Sequence, residues 1–340
     1  MKDLGATQRF EAVPNAGIEF SSSFAMKTSA LFLFAPLLAA AEPALKWQQD
    51  GNRSLELRGA DGPVVRFVLD CAPQDPHFEV LATADGRNLV WVGPGDHVWH
   101  YGLWFSWKLI NDVNFWETDP ATGKQAGRSE ILEPKIESTP DGATATIRYR
   151  DRAHPLADGP AVLEDEVVIQ ITRPQNGLGP QVVWQLKTTA LAAVELGRTP
   201  LPDEPNGKPY GGYGGFSWRG AKDLKDTVFT DSEGRQGMAM HRQHASWVDA
   251  TGSLAGKPAG ITVCNHPSNP GHPTSWFLAT DTTPHGPFWF VNPALLQPKP
   301  IKMKQGESFL HRYQATVHGG RAVSACAQEA STFGSAPPLP

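Results

Sequence analysis

Residues 162–172 constrain the fold more than any other stretch of the chain. Leu163, Val167, Ile169 and Ile171 fall on one face of an extended backbone, and Glu164, Glu166, Val168 and Gln170 fall on the other. That is the period of a strand, not of a helix. Similar runs rich in Val, Ile, Phe and Trp recur along the chain, bounded by Gly, Pro, Asn and Asp. They lie at 54–58, 64–69, 78–82, 89–92, 103–109, 130–137, 144–150, 181–188, 261–264, 276–279 and 308–317. Strands of this length in a chain of this size predict an all-β fold, a large antiparallel β-sandwich. The 33 glycines and 30 prolines fit a turn-rich β protein. Helix signals are confined to 323–330.

No internal repeat and no splitting linker interrupts this pattern. Residues 199–215, rich in Pro, Gly and Asp, read as a long loop, and 43–325 read as a single domain followed by a short tail, 326–340. Residues 26–41 read as a signal peptide: Lys27, an apolar run from Ala30 to Leu38, then Ala39-Ala40-Ala41. Met26 is then the start, with 1–25 an over-extended gene start, and the mature chain is expected to be periplasmic or secreted. The apolar run is too short to span a bilayer as a helix, and no later segment is apolar enough, so no membrane insertion of the mature chain is expected. The net charge of −5 is mixed along the chain without a basic stripe, which argues against nucleic acid. Cys71, Cys264 and Cys326 show no metal or redox spacing. One pair could bridge under oxidising conditions, but the sequence does not choose it.

Chemistry concentrates in two clusters. The first is Gly95-Asp96-His97-Val98-Trp99-His100-Tyr101-Gly102-Leu103-Trp104-Phe105, running on to Asn114-Phe115-Trp116-Glu117. A turn leading into a strand would let His97 and His100 point into one cleft, with Asp96 orienting one imidazole. The second is Asn265-His266-Pro267-Ser268-Asn269-Pro270-Gly271-His272-Pro273-Thr274-Ser275-Trp276. Its three prolines exclude a helix interior or a central strand and make it a rigid loop. The working expectation is that both clusters form one site, with His97, His100, His266, His272 and Glu166 as catalytic candidates. Trp104, Asn114, Trp116, Arg219, Asn269, Trp276 and Asn292 are the candidates for substrate binding. Tryptophan faces stack on the C–H faces of sugars, while amides bind hydroxyls. The competing structural reading is core tryptophans, a surface arginine, an outward-facing glutamate and a proline-braced surface loop.

The first cluster, Asn111 to Trp116, Trp247-Val248-Asp249-Ala250-Thr251-Gly252, the second cluster, Asn292-Pro293 and the ending through His318-Gly319-Gly320 together resemble the so-called methane oxygenase PmoA family. The chain departs from that pattern at His285-Gly286-Pro287-Phe288. The resemblance implies an exported β-sandwich protein of unknown function accompanying carbohydrate-degrading systems. Methane oxidation does not follow, because the membrane subunit of that name is built of spanning helices. A concave sandwich face bearing histidines and a carboxylate is also similar to the galactose mutarotase type of supersandwich, an analogy of fold alone.

Three functions fit these residues. The first is an enzyme acting on a carbohydrate by hydrolysis, elimination or epimerisation, with one histidine as acid and a second histidine or Glu166 as base. The second is a non-catalytic sugar-binding protein. The third is a metal site, zinc or copper, drawn from His97, His100, His266 and His272, although no short ligand motif is present. The partner expected in every case is a carbohydrate or another small molecule. Sequence leaves the reaction, the cofactor and the oligomeric state open.

Overall fold

A computed structural model describes residues 45–70, 75–119, 121–123, 125–152 and 159–340. The segment read as a signal peptide and Cys71 lie outside the described residues. Two large antiparallel sheets dominate. One has nine strands in the order Lys46–Asp50, Ser54–Arg58, Pro63–Val68, His77–Leu81, Leu103–Ser106, Gly215–Arg219, Phe290–Pro293, Thr274–Ala279 and His244–Ala245. The other has eight, in the order Lys225–Asp231, Trp247–Leu254, Lys257–Asn265, Ser308–His318, Leu178–Ala190, Leu163–Thr172, Gly142–Arg152 and Arg128–Thr139. The fold is the all-β antiparallel sandwich that the alternation demands.

The sheets meet through one face each. From the nine-stranded sheet come Leu55, Phe67, Phe78, Leu103, Phe105, Phe216, Trp218, Trp276, Leu278 and Val291. Opposite them stand Val167, Ile169, Ile171, Val182, Trp184, Leu186, Tyr313, Ala315 and Val317. Within Leu163–Thr172 the odd positions are the buried ones, and Ile169 pairs with Trp184 across the ladder. Trp184 touches Phe67 and Phe216, and Phe216 stacks on Tyr313 with ring centres 5.0 Å apart. Removing Phe216 from such a seam would cost about 3–5 kcal/mol.

Because side chains alternate, the residues between these core positions point outward, and the two outer faces are where the sandwich differs. On the eight-stranded sheet, Val183, Trp247 and Cys264 are covered by a helix, α1 (Val323–Ser335), through Cys326 and Phe333. This helix is longer than the 323–330 turn expected. The chain beyond it is docked, not a loose tail: Gln185 bonds both polar groups of the Leu339 backbone. Cys264 and Cys326 are both buried and unbridged. No described helix is long and apolar enough to cross a membrane.

On the nine-stranded sheet the outward positions are Trp104, Ser217, Arg219, Phe277, Phe290 and Asn292. They are covered by loops, and an aromatic cluster of Tyr101, Trp104, Trp116, Tyr213, Phe277 and Phe290 fills the space between. A four-stranded ribbon, Ile301–Met303, Val194–Gly197, Leu109–Ile110 and Val113–Asn114, lies beside it. The run expected at 103–109 therefore breaks in two, with its second half pairing elsewhere. The expected strand at 89–92 contributes only isolated bridges from Val90 and Val92.

Candidate functional site

A cleft of about 760 Å³ opens on the outer face of the nine-stranded sheet. Its walls come from segments distant in sequence: the turn at 96–100, Glu117, the loop at 209–213, His241, the strand Thr274–Ala279 and the segment 281–290.

The turn is built by two successive backbone closures. His97 N donates to Pro94 O at 2.9 Å and His100 N to His97 O at 3.0 Å. This coiling, absent from a strand, puts both imidazoles on one side, with ring centres 4.7 Å apart. Gly102 then lets the chain enter its strand: its φ is +74°, and a Cβ there would lie 2.5 Å from Phe78 O. His97 Nδ1 lies 3.3 Å from Asp96 Oδ2, outside hydrogen-bond alignment. Nε2 is the nitrogen left to the cleft. Burial lowers the His97 pKa, while the neighbouring Asp96 carboxylate works the other way. Burial also opposes ionisation of Asp96, but the charge of Arg219 and then His97 outweigh it and hold its carboxyl below the usual range. His100, packed between Phe290, Trp104 and His97, is pushed well down by burial. It is an uncharged imidazole near neutral pH.

Glu117 faces the cleft from a second framework. The hairpin Leu109–Ile110 to Val113–Asn114 turns through Asn111 and Asp112, both at positive φ (50° and 62°), as a type I′ turn requires. Asn114 at its end accepts from Trp116 N at 2.8 Å and Glu117 N at 3.0 Å, and its Nδ2 donates to Glu117 Oε2 at 2.5 Å. The other oxygen, Oε1, is ion-paired with the buried Lys108 and lies 3.4 Å from the Tyr213 hydroxyl. The Lys108 pKa is lowered by burial, with Glu117 opposing. Asn292 fixes the loop that carries Tyr213. Its Nδ2 donates to Gly214 O at 3.2 Å and Phe216 O at 2.7 Å, and its Oδ1 accepts from Gly214 N at 3.3 Å.

Buried polar atoms without a protein hydrogen bond collect here: Asp96 Oδ2, His97 Nδ1, Trp99 Nε1, His100 Nδ1, Trp116 Nε1, and Nε and Nη1 of Arg219. Folded proteins leave few such atoms unpaired, so these are groups for water or a ligand to satisfy.

The expected single site divides. His97, His100 and Asn114 belong to the cleft wall or its support. Trp104 and Trp116 lie buried under its floor, not exposed as platforms. The aromatic surface is instead Trp99, Tyr210, Tyr213, Phe277, Phe288 and Phe290. Arg219 is no ligand clamp at the mouth. It is fully buried behind the wall, 3.5 Å from Asp96 and with its guanidinium carbon 3.8 Å from the Phe288 ring centre. Asn292 is spent on the backbone. Trp276 is a core residue whose Nε1 donates to Ala245 O at 2.8 Å.

The proline-braced loop is elsewhere. It leaves the end of the Lys257–Asn265 strand, an interior strand of the eight-stranded sheet, and His266 packs on Phe333 of α1. Arg312 donates to His266 Nε2 at 2.8 Å and to the carbonyls of Ala336 and Pro337. Asn269 accepts from Arg312 N at 2.7 Å and donates to Arg312 O at 2.7 Å. His272 meets Asn265 at 3.1 Å. Arg312 points to the outer face of the eight-stranded sheet, because its neighbours His311 and Tyr313 point inward, so His266 lies across the core from the cleft, and His272 does not line the cleft. Glu166 is on that same far side, ion-paired to Lys187 at 2.9 Å with its side chain 47% exposed. The four-histidine metal shell therefore does not form, and no group of three or more His, Cys, Asp or Glu side chains among the described residues is placed to hold a metal ion. Sequence reasoning assigned no role to Lys108, Glu117, Tyr213, His241 or Phe288. His241 bonds the Leu278 backbone from Nδ1 at 2.9 Å. The signal for Glu117 was its place one residue after Trp116.

Solved structures with similar outlines include a heparan sulfate lyase HepC mutant from Pedobacter heparinus, at 10% identity and a TM-score of 0.39. The match covers 83% of this chain but 36% of the lyase, so the chain spans just over a third of that protein. A galactose mutarotase related enzyme from Lactobacillus acidophilus matches over 81% of this chain and 97% of its own length, at 9% identity and a TM-score of 0.35. The galactosidase domain of an alpha-galactosidase-sucrose kinase matches over 82% of this chain and 41% of its own, at 9% identity and a TM-score of 0.30. At these values the likeness carries no argument about the site. No curated protein matches the chain. The resemblance to the methane oxygenase PmoA family is corrected by the family model that does match, over residues 54–332. The chain belongs to that family, DUF6807, a family of unknown function.

Proposed function

We propose that this is an exported carbohydrate-active enzyme whose cleft performs acid–base chemistry with His97 and Glu117. The observation that carries the reading is their convergence on one aromatic-walled cleft, each beside a charged partner: Asp96 at His97, and Lys108, with Asn114, on Glu117. Its volume falls in the range of small-molecule sites. Tyr210, exposed on the cleft, offers a flat face to the C–H side of a sugar ring, while the carboxylates and imidazoles are partners for hydroxyls.

His97, uncharged near neutral pH, accepts a proton at Nε2, and Asp96 stabilises the imidazolium that results. Glu117, ion-paired with Lys108, serves as the second proton-transfer or charge-stabilising group. Hydrolysis, elimination and epimerisation all need such a pair. Export is proposed on residues 26–41 alone.

The test is turnover. Purified protein is incubated with neutral, amino and acidic oligosaccharides, and products are followed by mass spectrometry. A product that disappears with His97→Gln and with Glu117→Gln supports the reading. Saturable binding without any product makes the cleft a sugar-binding site only. No binding to any glycan overturns the assignment.

A further inference from the structure

The arrangement of charge around the cleft goes further than its shape. The wall presents Asp96, Glu117 and Asp281, and no lysine or arginine lines it among the described residues. The cations that balance the first two sit behind them. Lys108 is 3% exposed and Arg219 is fully buried. Each ion pair is thus a dipole with its negative end toward the ligand. Asp281 is exposed on the rim, and no ion pair to it is found among the described residues. Its backbone carbonyl accepts from Phe288 N at 2.7 Å, which ties it to the aromatic wall. Arg242, near the rim, is turned onto the carbonyls of Pro209 and Gly211. The three cleft imidazoles, His97, His100 and His241, all have pKa values lowered first by burial, so they add no positive charge near neutral pH. Phe288 and Tyr213 already carry Arg219 and Lys108 on their rings, whereas Tyr210, 52% exposed on the same cleft, presents an aromatic face of the kind that favours a cation.

From this geometry we infer that the sugar unit bound in the cleft carries no negative charge, and that a protonated amino sugar binds more tightly than its neutral counterpart. The inference rests on the carbohydrate reading above. A uronate carboxylate would meet Asp96 and Glu117 across a cleft whose own cations are out of reach.

The experiment uses the full chain and methyl glycosides of the gluco and galacto series, each as the neutral sugar, the 2-amino sugar and the uronate. Binding is measured by ligand-observed NMR at low ionic strength and at a pH below that of amine deprotonation. The expected order is amino, neutral, uronate, with about tenfold or more between the first and last and a gap that narrows in high salt. Asp281→Asn should reduce the amino preference severalfold. Uronates that bind as well as or better than amino sugars, or affinities indifferent to charge, overturn this inference while leaving the carbohydrate reading standing. Failure of all six glycosides to bind overturns the carbohydrate reading itself, and this inference with it.

Discussion

His97 and His266 invite comparison because each has an ionised partner, each is withdrawn from solvent, His97 in part and His266 almost wholly, and each lies on an outer face of the sandwich. They differ in how their ring nitrogens are used. Arg312 donates to His266 Nε2, and Nδ1 is held by Ser268, 2.7 Å from its Oγ and accepting from its backbone N–H at 3.1 Å. Both nitrogens are committed to the fold. His97 turns Nδ1 toward Asp96 and keeps Nε2 for the cleft. The partners also push in opposite directions. Burial and then Arg312 bring the His266 pKa down to about 4, whereas Asp96 opposes the lowering at His97. An imidazole beside a cation with no spare nitrogen is a structural group. One beside a carboxylate with a nitrogen to spare is equipped to move a proton.

The sharpest way to break this distinction is by substitution. His97→Gln or Glu117→Gln should lower turnover about 10²- to 10⁴-fold with little change in melting temperature. Arg312→Met should do the reverse. Removing its bonds to His266, Ala336 and Pro337 should cost about 3 kcal/mol in a denaturant melt, with turnover per folded molecule kept. If Arg312→Met instead abolished activity in folded protein, the two regions would not be independent.

Titration separates the regions next. His266 has a folded pKa below its unfolded value, so the unfolded chain binds more protons between the two. Its contribution to stability is complete above about pH 6.5 and is lost as pH falls through about 4. The wild-type melting temperature should decline over that window, more steeply than that of His266→Asn. Asp96→Asn tests the other side. Without the carboxylate that raises His97, the acid limb of the activity profile should move to lower pH. The smallest effect is expected at Glu166→Gln, an exposed ion pair worth less than about 1 kcal/mol and remote from the cleft. A measurable activity loss there would return Glu166 to the site.

Much of the sandwich is legible in the sequence because alternation is a local property. The strands at 54–58, 162–172 and 308–317 stand out because apolar residues dominate one face, even with Asp165 and His311 buried among them. Trp247–Leu254 and Gly215–Arg219 do not. In the first, Trp247 and Asp249 share the face under α1, with Asp249 bonded to His318 at 2.9 Å, and the polar run Thr251-Gly252-Ser253 follows, so no apolar alternation is sustained. The second follows a glycine tract and has Ser217 and Arg219, both fully buried, on its outward face.

The site is half legible for the same reason. His97 and His100 share one turn, so their meeting follows from short-range backbone bonds. Whether His266 joins them depends on which sheet its strand enters, and that is decided by the pairing of Lys257–Asn265 with Ser308–His318. Lys108, at the end of an apolar run, is buried against the usual habit of lysine, and only its contact with Glu117 makes sense of it.

The central claim is that chemistry belongs to the cleft on the nine-stranded sheet and not to the proline-braced loop. The most direct measurement is the turnover, per folded molecule, of His97→Gln and His266→Asn on the glycan that the wild type processes best. The account predicts a loss of about a hundredfold or more for the first and wild-type turnover for the second. Full activity in His97→Gln, or its loss in folded His266→Asn, would contradict it.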